Sequence, residues 1–517
     1  MVERTPGIVA AGHPLTAKAG VEILRQGGNA FDAAVAAVLT ACVCESALTS
    51  LGGGGFLLAH TAMGEDVLFD FFTQTPGAKQ LANPLHFYPV EVNFGDATQK
   101  FHIGLGAMAV PGMVAGLGRV HSQLGRLPLD AVVEPALHYA REGSEIEPFR
   151  AYVLQILRPI LTATEAAREI YAPGGKLLGA GERLKMPVFA DALEELLKLG
   201  VEAFYHGNIA QQIIQDCTEA GGYLRIEDFN RYRVIERTPL KMRYRNSILL
   251  TNPPPSSGGI LIAFALKLLE QADLSGFEHG EAAHLALLIE AMRLTNLARR
   301  HGYDTRLHQE EITEWFLGVG HMADYQQAFT DVASKWGSTT HISVVDAEGN
   351  AASVTSSNGE GASYVVPGTQ IMLNNMLGEE DLNPGGFHLW TPNRRMSSMM
   401  APTILLENNR PRLVLGSGGS NRIRTAILQV ISNVLDFNMD LDEAINSPRI
   451  HWERGELHLE PGYERRALEN LPIEPEACAW WRQTNMFFGG VHGVSVAPDG
   501  AMGGAGDPRR GGAVARS

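Results

Sequence analysis

Apolar positions recur at helical spacing from Leu15 to Gln26 and stop at the Gly27-Gly28 pair, which predicts a helix over 15–26. Asn29 stands where it can cap a second helix, from about Ala30 to Cys44, and the Ala-rich sequence there predicts burial on most sides. A run of four glycines, Gly52 to Gly55, leads into strand-like patterns over 56–60 and 66–71. Helical spacing returns over 112–124, 128–142, 190–198, 208–220, 258–271 and 281–300. From Thr339 onward strand patterns dominate, over 341–346, 351–357, 371–373, 402–406 and 412–415, with one more helix over 424–435. No internal repeat or low-complexity linker divides the chain, so the helices that come first and the strands that follow read as one large α+β unit.

Two of these strands flank a Glu348-Gly349-Asn350 turn and read as a hairpin. A turn centred on Glu348 pairs Val345 with Ala351, His341 with Thr355 and Thr339 with Ser357. Directly opposed side chains lie about 5 Å apart at Cβ, so the Thr339 and Ser357 hydroxyls come within hydrogen-bonding reach. Hydroxyl residues are ordinary on strands, and this hairpin alone carries little weight. Three other segments add to it. Pro253 to Gly259 is rigid proline followed by permissive glycine. Arg395 to Met399 contains the pair Ser397-Ser398. Gly416 to Arg422 lies between a strand and a helix, where backbone N–H groups can hold an anion.

Composition narrows the classes. In 517 residues, 45% are hydrophobic and 19% charged, the balance of a core-forming chain. The formal charge of −15 argues against nucleic acid or a membrane surface as partner, because both demand a basic face. The longest nearly apolar run, Ala33 to Cys44, is shorter than the roughly 20 residues that cross a bilayer. Residues 1–6 carry no basic stretch before an apolar core, which predicts a cytoplasmic protein. The four cysteines, Cys42, Cys44, Cys217 and Cys478, read as reduced thiols. The 17 histidines contain no His-x-His or His-x-x-x-His pair, and a Ser hydrolase built on Ser417 or Ser420 would need a Gly-x-Ser-x-Gly elbow that is absent.

Taken together, Gly27 to Ala34, the four-glycine run, the segment Thr339-Thr340-His341-Ile342-Ser343-Val344-Val345-Asp346 and the final Asp507 to Arg510 resemble the γ-glutamyltransferases, including their cephalosporin-acylase branch. The resemblance covers nearly the whole chain. It implies an N-terminal-nucleophile hydrolase, an αββα four-layer sandwich of two mainly antiparallel sheets between helical layers. It implies a single fold over 1–517 that cleaves itself between Ser338 and Thr339 into fragments 1–338 and 339–517, which stay associated, with a homodimer of these as a further option. Thr339 is then the nucleophile, Ser357 its partner hydroxyl, and Gly419 and Ser420 the oxyanion-hole amides. Ser397 and Ser398 hold the carboxylate end of a small amide substrate, a γ-glutamyl or related acyl compound. No cofactor and no metal is implied.

The sequence departs from that family in two places. Where γ-glutamyl transferases place an Arg that pairs with the substrate α-carboxylate, this chain has Phe72. After Asn375 the expected acid for the substrate amine has no single match; Glu380 and Asp381 are candidates, with Asn358 near the partner hydroxyl. The stretch from Asn375 to Arg394 is also short for a lid. Arg422 or Arg424 could supply the missing positive charge. The expectation is an acyltransferase or amidohydrolase with a modified acyl pocket; the alternative is an inactive family member that binds without turnover.

Overall fold

A computed structural model describes residues 6–79, 83–93, 98–272, 274–327, 339–383, 385–453, 455–464, 474 and 477–517. Two antiparallel sheets stack face to face. The seven-stranded sheet runs, in spatial order, Ala513–Arg516, Gly7–Ala11, Thr340–Asp346, Ala351–Ser357, Gly54–His60, Asp66–Phe71 and Ile235–Arg237. The six-stranded sheet runs Met502–Ala505, Gly490–Val496, Arg410–Gly418, Thr403–Glu407, Ser247–Thr251 and Leu240–Tyr244.

Helices Pro14–Arg25, Ala30–Cys44 and Met113–Leu124 cover the outer face of the first sheet, and Leu129–Glu142 packs on Ala30–Cys44 beyond them. Gly258–Leu269, Ala282–Ala298 and Arg422–Leu435 form the layer beyond the second. The four layers are those of the N-terminal-nucleophile sandwich. Helix Ala30–Cys44 is buried along its whole length, as its Ala-rich sequence predicts. It opens on a reciprocal cap, in which Asn29 Oδ1 accepts from the Phe31 and Asp32 amides and Asp32 Oδ2 accepts from the Asn29 amide. Asp346, at the hairpin turn, accepts from the Ala30 amide at 2.9 Å and so joins the hairpin to the positive end of that helix.

The period of two along the hairpin decides what each residue meets. Ile342, Val344, Ala352 and Val354 face the helices, while Val345 and Ala351 face the second sheet. On that inner side Ser353 Oγ donates to the Leu415 carbonyl at 3.0 Å, and the His341 ring lies over Gly416, where a Cβ would fall 2.3 Å from it. Burial holds the His341 imidazole well below its ordinary pKa, hence neutral, between the Thr355 and Ser343 hydroxyls.

Helices first and strands later proves to be the wrong picture. Strand Gly7–Ala11 and the late strands Gly490–Val496 and Met502–Ala505 carry no clear alternation, because they are buried on both faces or rich in glycine, and Ala513–Arg516 is a short edge strand of four residues. The first sheet interleaves strands from before residue 338 with strands from after 339, and the second joins a block of four late strands to two early ones. Neither large sheet can be completed by strands from one side of the expected cut alone. The two fragments should therefore co-elute as one peak in native gel filtration and part only in denaturant; separation in plain buffer would contradict the interleaving.

Candidate active site

The hairpin pairs Thr340 with Ser356, His341 with Thr355 and Val345 with Ala351, the register that a turn centred on Glu348 requires. One step further toward its open end stand Thr339 and Ser357. Both line a narrow cavity together with Phe72, Ser398, Asp381 and Ser420. Thr339 is buried, 5% exposed, on the inter-sheet side of its strand.

Thr340, on the opposite face, donates to Glu45 at 2.6 Å. The same carboxylate takes Thr16 Oγ1 at 2.9 Å and Arg150 Nη2 at 2.8 Å, so the start of the strand is anchored to the helical layer. The Thr339 carbonyl is held from the other side. Arg510 Nη1 donates to it at 3.3 Å, and Nη2 reaches the Met486 carbonyl at 3.2 Å. Burial brings the Arg510 pKa down to about 10, against the pull of Asp507, so the guanidinium stays charged at neutral pH. Strand Arg410–Gly418 passes so close that a Cβ on Gly418 would fall 2.1 Å from the Thr339 oxygen. Only glycine fits there.

The remaining expected residues divide. Ser357 Oγ accepts from the Gly359 amide at 3.0 Å, and Ser398 Oγ from the Met400 amide at 3.0 Å. Gly419 and Ser420 take positive φ, 122° and 48°, and their carbonyls accept the first turn of helix Arg422–Leu435. Ser420 Oγ donates to Asp381 Oδ2 at 2.6 Å. Ser397, Asn358, Glu380 and, of the two expected oxyanion-hole positions, Gly419 do not line the cavity. Ser397 Oγ lies 3.1 Å from Ser257 Oγ and opens onto an adjoining groove. Asn358 Nδ2 turns to the Met372 and Leu373 carbonyls, both at 3.4 Å, and braces that loop. The acids on the cavity wall are Glu379 and Asp381, two positions apart, with Glu380 between them and outside. Ser338 lies outside the described residues.

The family model described as gamma-glutamyltranspeptidase matches residues 16–517. The chain belongs to the γ-glutamyltranspeptidase family. It is 31% identical to the glutathione hydrolase proenzyme of Escherichia coli (strain K12), over 98% of this chain and 91% of that protein. It is 30% identical to the acylase ACY 1 proenzyme of Pseudomonas sp. (strain SE83), over 96% and 91%. The cephalosporin acylase of Bacillus halodurans superposes with a TM-score of 0.85 at 26% identity, covering 99% of this chain and 96% of that one. Membership makes this chain an enzyme of the N-terminal-nucleophile hydrolase and transferase type.

Within this γ-glutamyltranspeptidase-family cavity the wall at Phe72 is apolar. Phe72 is 1% exposed and stacks on Phe56, with ring centroids 5.4 Å apart. Neither expected substitute for the missing Arg lines the cavity. Arg422 lies over the Phe487 ring at 4.5 Å, and Arg424 is engaged by Asn296 at 2.7 Å with Glu453 at 3.7 Å. Arg395, which sequence reasoning passed over, sits behind Phe72. It donates to the Phe72 carbonyl and to Tyr232 Oη, and Asp70 lies 3.5 Å from its Nε.

Arg510, Glu45 and Glu379 were also missed, because each acts across a long sequence separation. Burial, then the Glu360 and Asp381 carboxylates, push the Glu379 pKa well above its ordinary 4.5. Burial also raises Asp381, against the Ser420 hydrogen bond. The Glu379 site therefore favours the protonated acid. Above pH 4.5 the unfolded chain ionises and the folded one resists, so this group costs stability as pH rises toward its folded-state pKa. Melting curves between pH 5 and pH 8 should show Glu379→Gln losing less stability on the alkaline side than wild type; parallel curves would contradict this.

Proposed function

We propose that the Ser338–Thr339 bond is cleaved within the chain and that Thr339, then N-terminal, is the nucleophile of an acyl transfer. The observation that carries this reading is the placement of Thr339 at the open end of the hairpin, in one cavity with Ser357, Ser398 and Ser420, its carbonyl fixed by Arg510. Its α-amine, with a reference pKa of about 7.7–8.0, can take the hydroxyl proton near neutral pH. Thr339 Oγ then attacks the amide carbon, the carbonyl electron pair is held by the amides at Gly419 and Ser420, and the amine leaves with the proton. Water or an amine resolves the ester on Thr339.

The substrate is a γ-glutamyl or related acyl amide. Relatives named as glutathione hydrolases and as acylases both match at about the same identity. Phe72 in an apolar stack favours an acyl group with no carboxylate at that point.

On a denaturing gel, wild type should split into fragments of residues 1–338 and 339–517, and Thr339→Ala should stay whole. A wild-type chain that stays whole after prolonged incubation would overturn the reading. Ser357→Ala should slow turnover by about 10- to 100-fold, the worth of one hydrogen bond to a charged group. A γ-glutamyl anilide should be turned over no faster than the analogue without its α-carboxylate; a large preference for the γ-glutamyl compound would refute the apolar wall.

A further inference from the structure

A groove of about 530 Å³ opens beside the catalytic cavity. The two share Leu382, and Ser397 on the groove wall directly precedes Ser398 in the cavity. The groove is larger than the cavity needs for an acyl carbon, and its chemistry differs from the cavity's.

Part of the wall is apolar: Leu307, Trp390 and Leu389, the last 70% exposed although nothing in its chemistry favours water. The charges are lopsided. Asp304, the acid on the wall, is held by Arg299 Nε at 3.0 and 3.1 Å. Arg395, at the base, is offset by Asp70. Arg306 and Arg394 remain, both exposed on the groove. Arg306 is braced over the Trp315 ring at 4.3 Å. The Arg394 backbone is fixed on Thr75, its amide donating to Thr75 Oγ1 at 2.8 Å and its carbonyl accepting the Thr75 amide at 2.9 Å, which leaves the guanidinium to the groove. The positive field is felt locally. His308 is held below its ordinary pKa by burial and then by Arg394 and Arg237.

We propose that this groove binds a carboxylate carried on an apolar stem, at the end of the substrate that reaches out of the catalytic cavity, with Arg394 and Arg306 as its anchor. The proposal rests on Thr339 being the nucleophile. Phe72 takes the positive charge away from the inner cavity, and the two arginines place positive charge at its mouth. Recognition of an anionic substrate is thereby moved outward, past the Leu382 edge. The carboxylate can belong to a dicarboxylic acyl group or to the leaving amine, and the two sources are separable.

One substrate pair is a carboxyl-terminated acyl anilide and its methyl ester. The other is a neutral acyl amide of 4-aminobenzoate and its methyl ester. In one pair the acid should be preferred in kcat/KM by about fivefold per arginine, the scale of a solvent-exposed ion pair, mostly through KM and less at high salt. Preference in the first pair assigns the acyl end, and in the second the leaving amine. Arg394→Gln with Arg306→Gln should bring the ratio to one, and Arg394→Lys should keep part of it.

A catalysis-independent arm uses 4-phenylbutyrate, which has no scissile bond. It should bind wild type and weaken at least tenfold in the double variant, while its primary amide binds both alike. Equal handling of acid and ester in both pairs, or 4-phenylbutyrate binding unchanged in a double variant of wild-type melting temperature, overturns the groove assignment. Turnover that persists in Thr339→Ala, with the 4-phenylbutyrate binding difference intact, would overturn the nucleophile reading instead.

Discussion

The period of two along strand Thr340–Asp346 governs the rest of this molecule. A β-strand offers its neighbours alternate sides, so Thr339 and Thr340 are served by different layers. Thr340 is tied through Glu45 to Arg150, Thr16 and the helices. Thr339 is met between the sheets by Arg510 and by the bare backbone of Gly418. The open end of the hairpin is thus clamped from both faces. The glycines are part of this clamp: at 416 and 418 any side chain would collide with His341 or with the Thr339 carbonyl.

Electrostatics is arranged in the same layered way. The cations near the catalytic cavity are each engaged, Arg395 by Asp70 and Tyr232, Arg424 by Asn296 and Glu453, Arg510 by carbonyls. Burying a charge is tolerable only with such partners. The acids behave differently. Glu360, Glu379 and Asp381 crowd together, and the cheaper solution is for Glu379 to keep its proton. A neutral acid can donate a hydrogen bond, which an ionised one cannot. The cavity therefore presents apolar surface, hydroxyls and two carboxyls, Glu379 and Asp381, that burial pushes toward the protonated form.

Much of this was legible in the sequence, and the reason is locality. The hairpin register followed from a turn and two alternating runs, and with it the opposition of Thr339 and Ser357. The Asn29 cap and the all-round burial of helix Ala30–Cys44 followed from residue type alone. What escaped is non-local. Strand Gly7–Ala11 lacks alternation because both its faces are covered, and it is defined only by lying between Ala513–Arg516 and Thr340–Asp346. Arg510 contacts Thr339 across most of the second half of the chain, and Arg395 lies behind Phe72 through a pairing of distant loops. Ser397 and Ser398, adjacent and alike in sequence, are sent to different spaces by the direction of the backbone between them.

The interleaving of early and late strands gives the chain a one-way history. Before any cut, strand Gly7–Ala11 finds Thr340–Asp346 by intramolecular search, whose entropy cost grows only slowly with loop length. After a cut, the same pairing in a denatured sample is an encounter of two molecules, governed by their concentration. The sheet that closes as one molecule would have to reassemble as two. The intact Ser338–Thr339 bond thus keeps assembly intramolecular, and the proposed cut would exchange that ease of refolding for the chemistry of a new chain end.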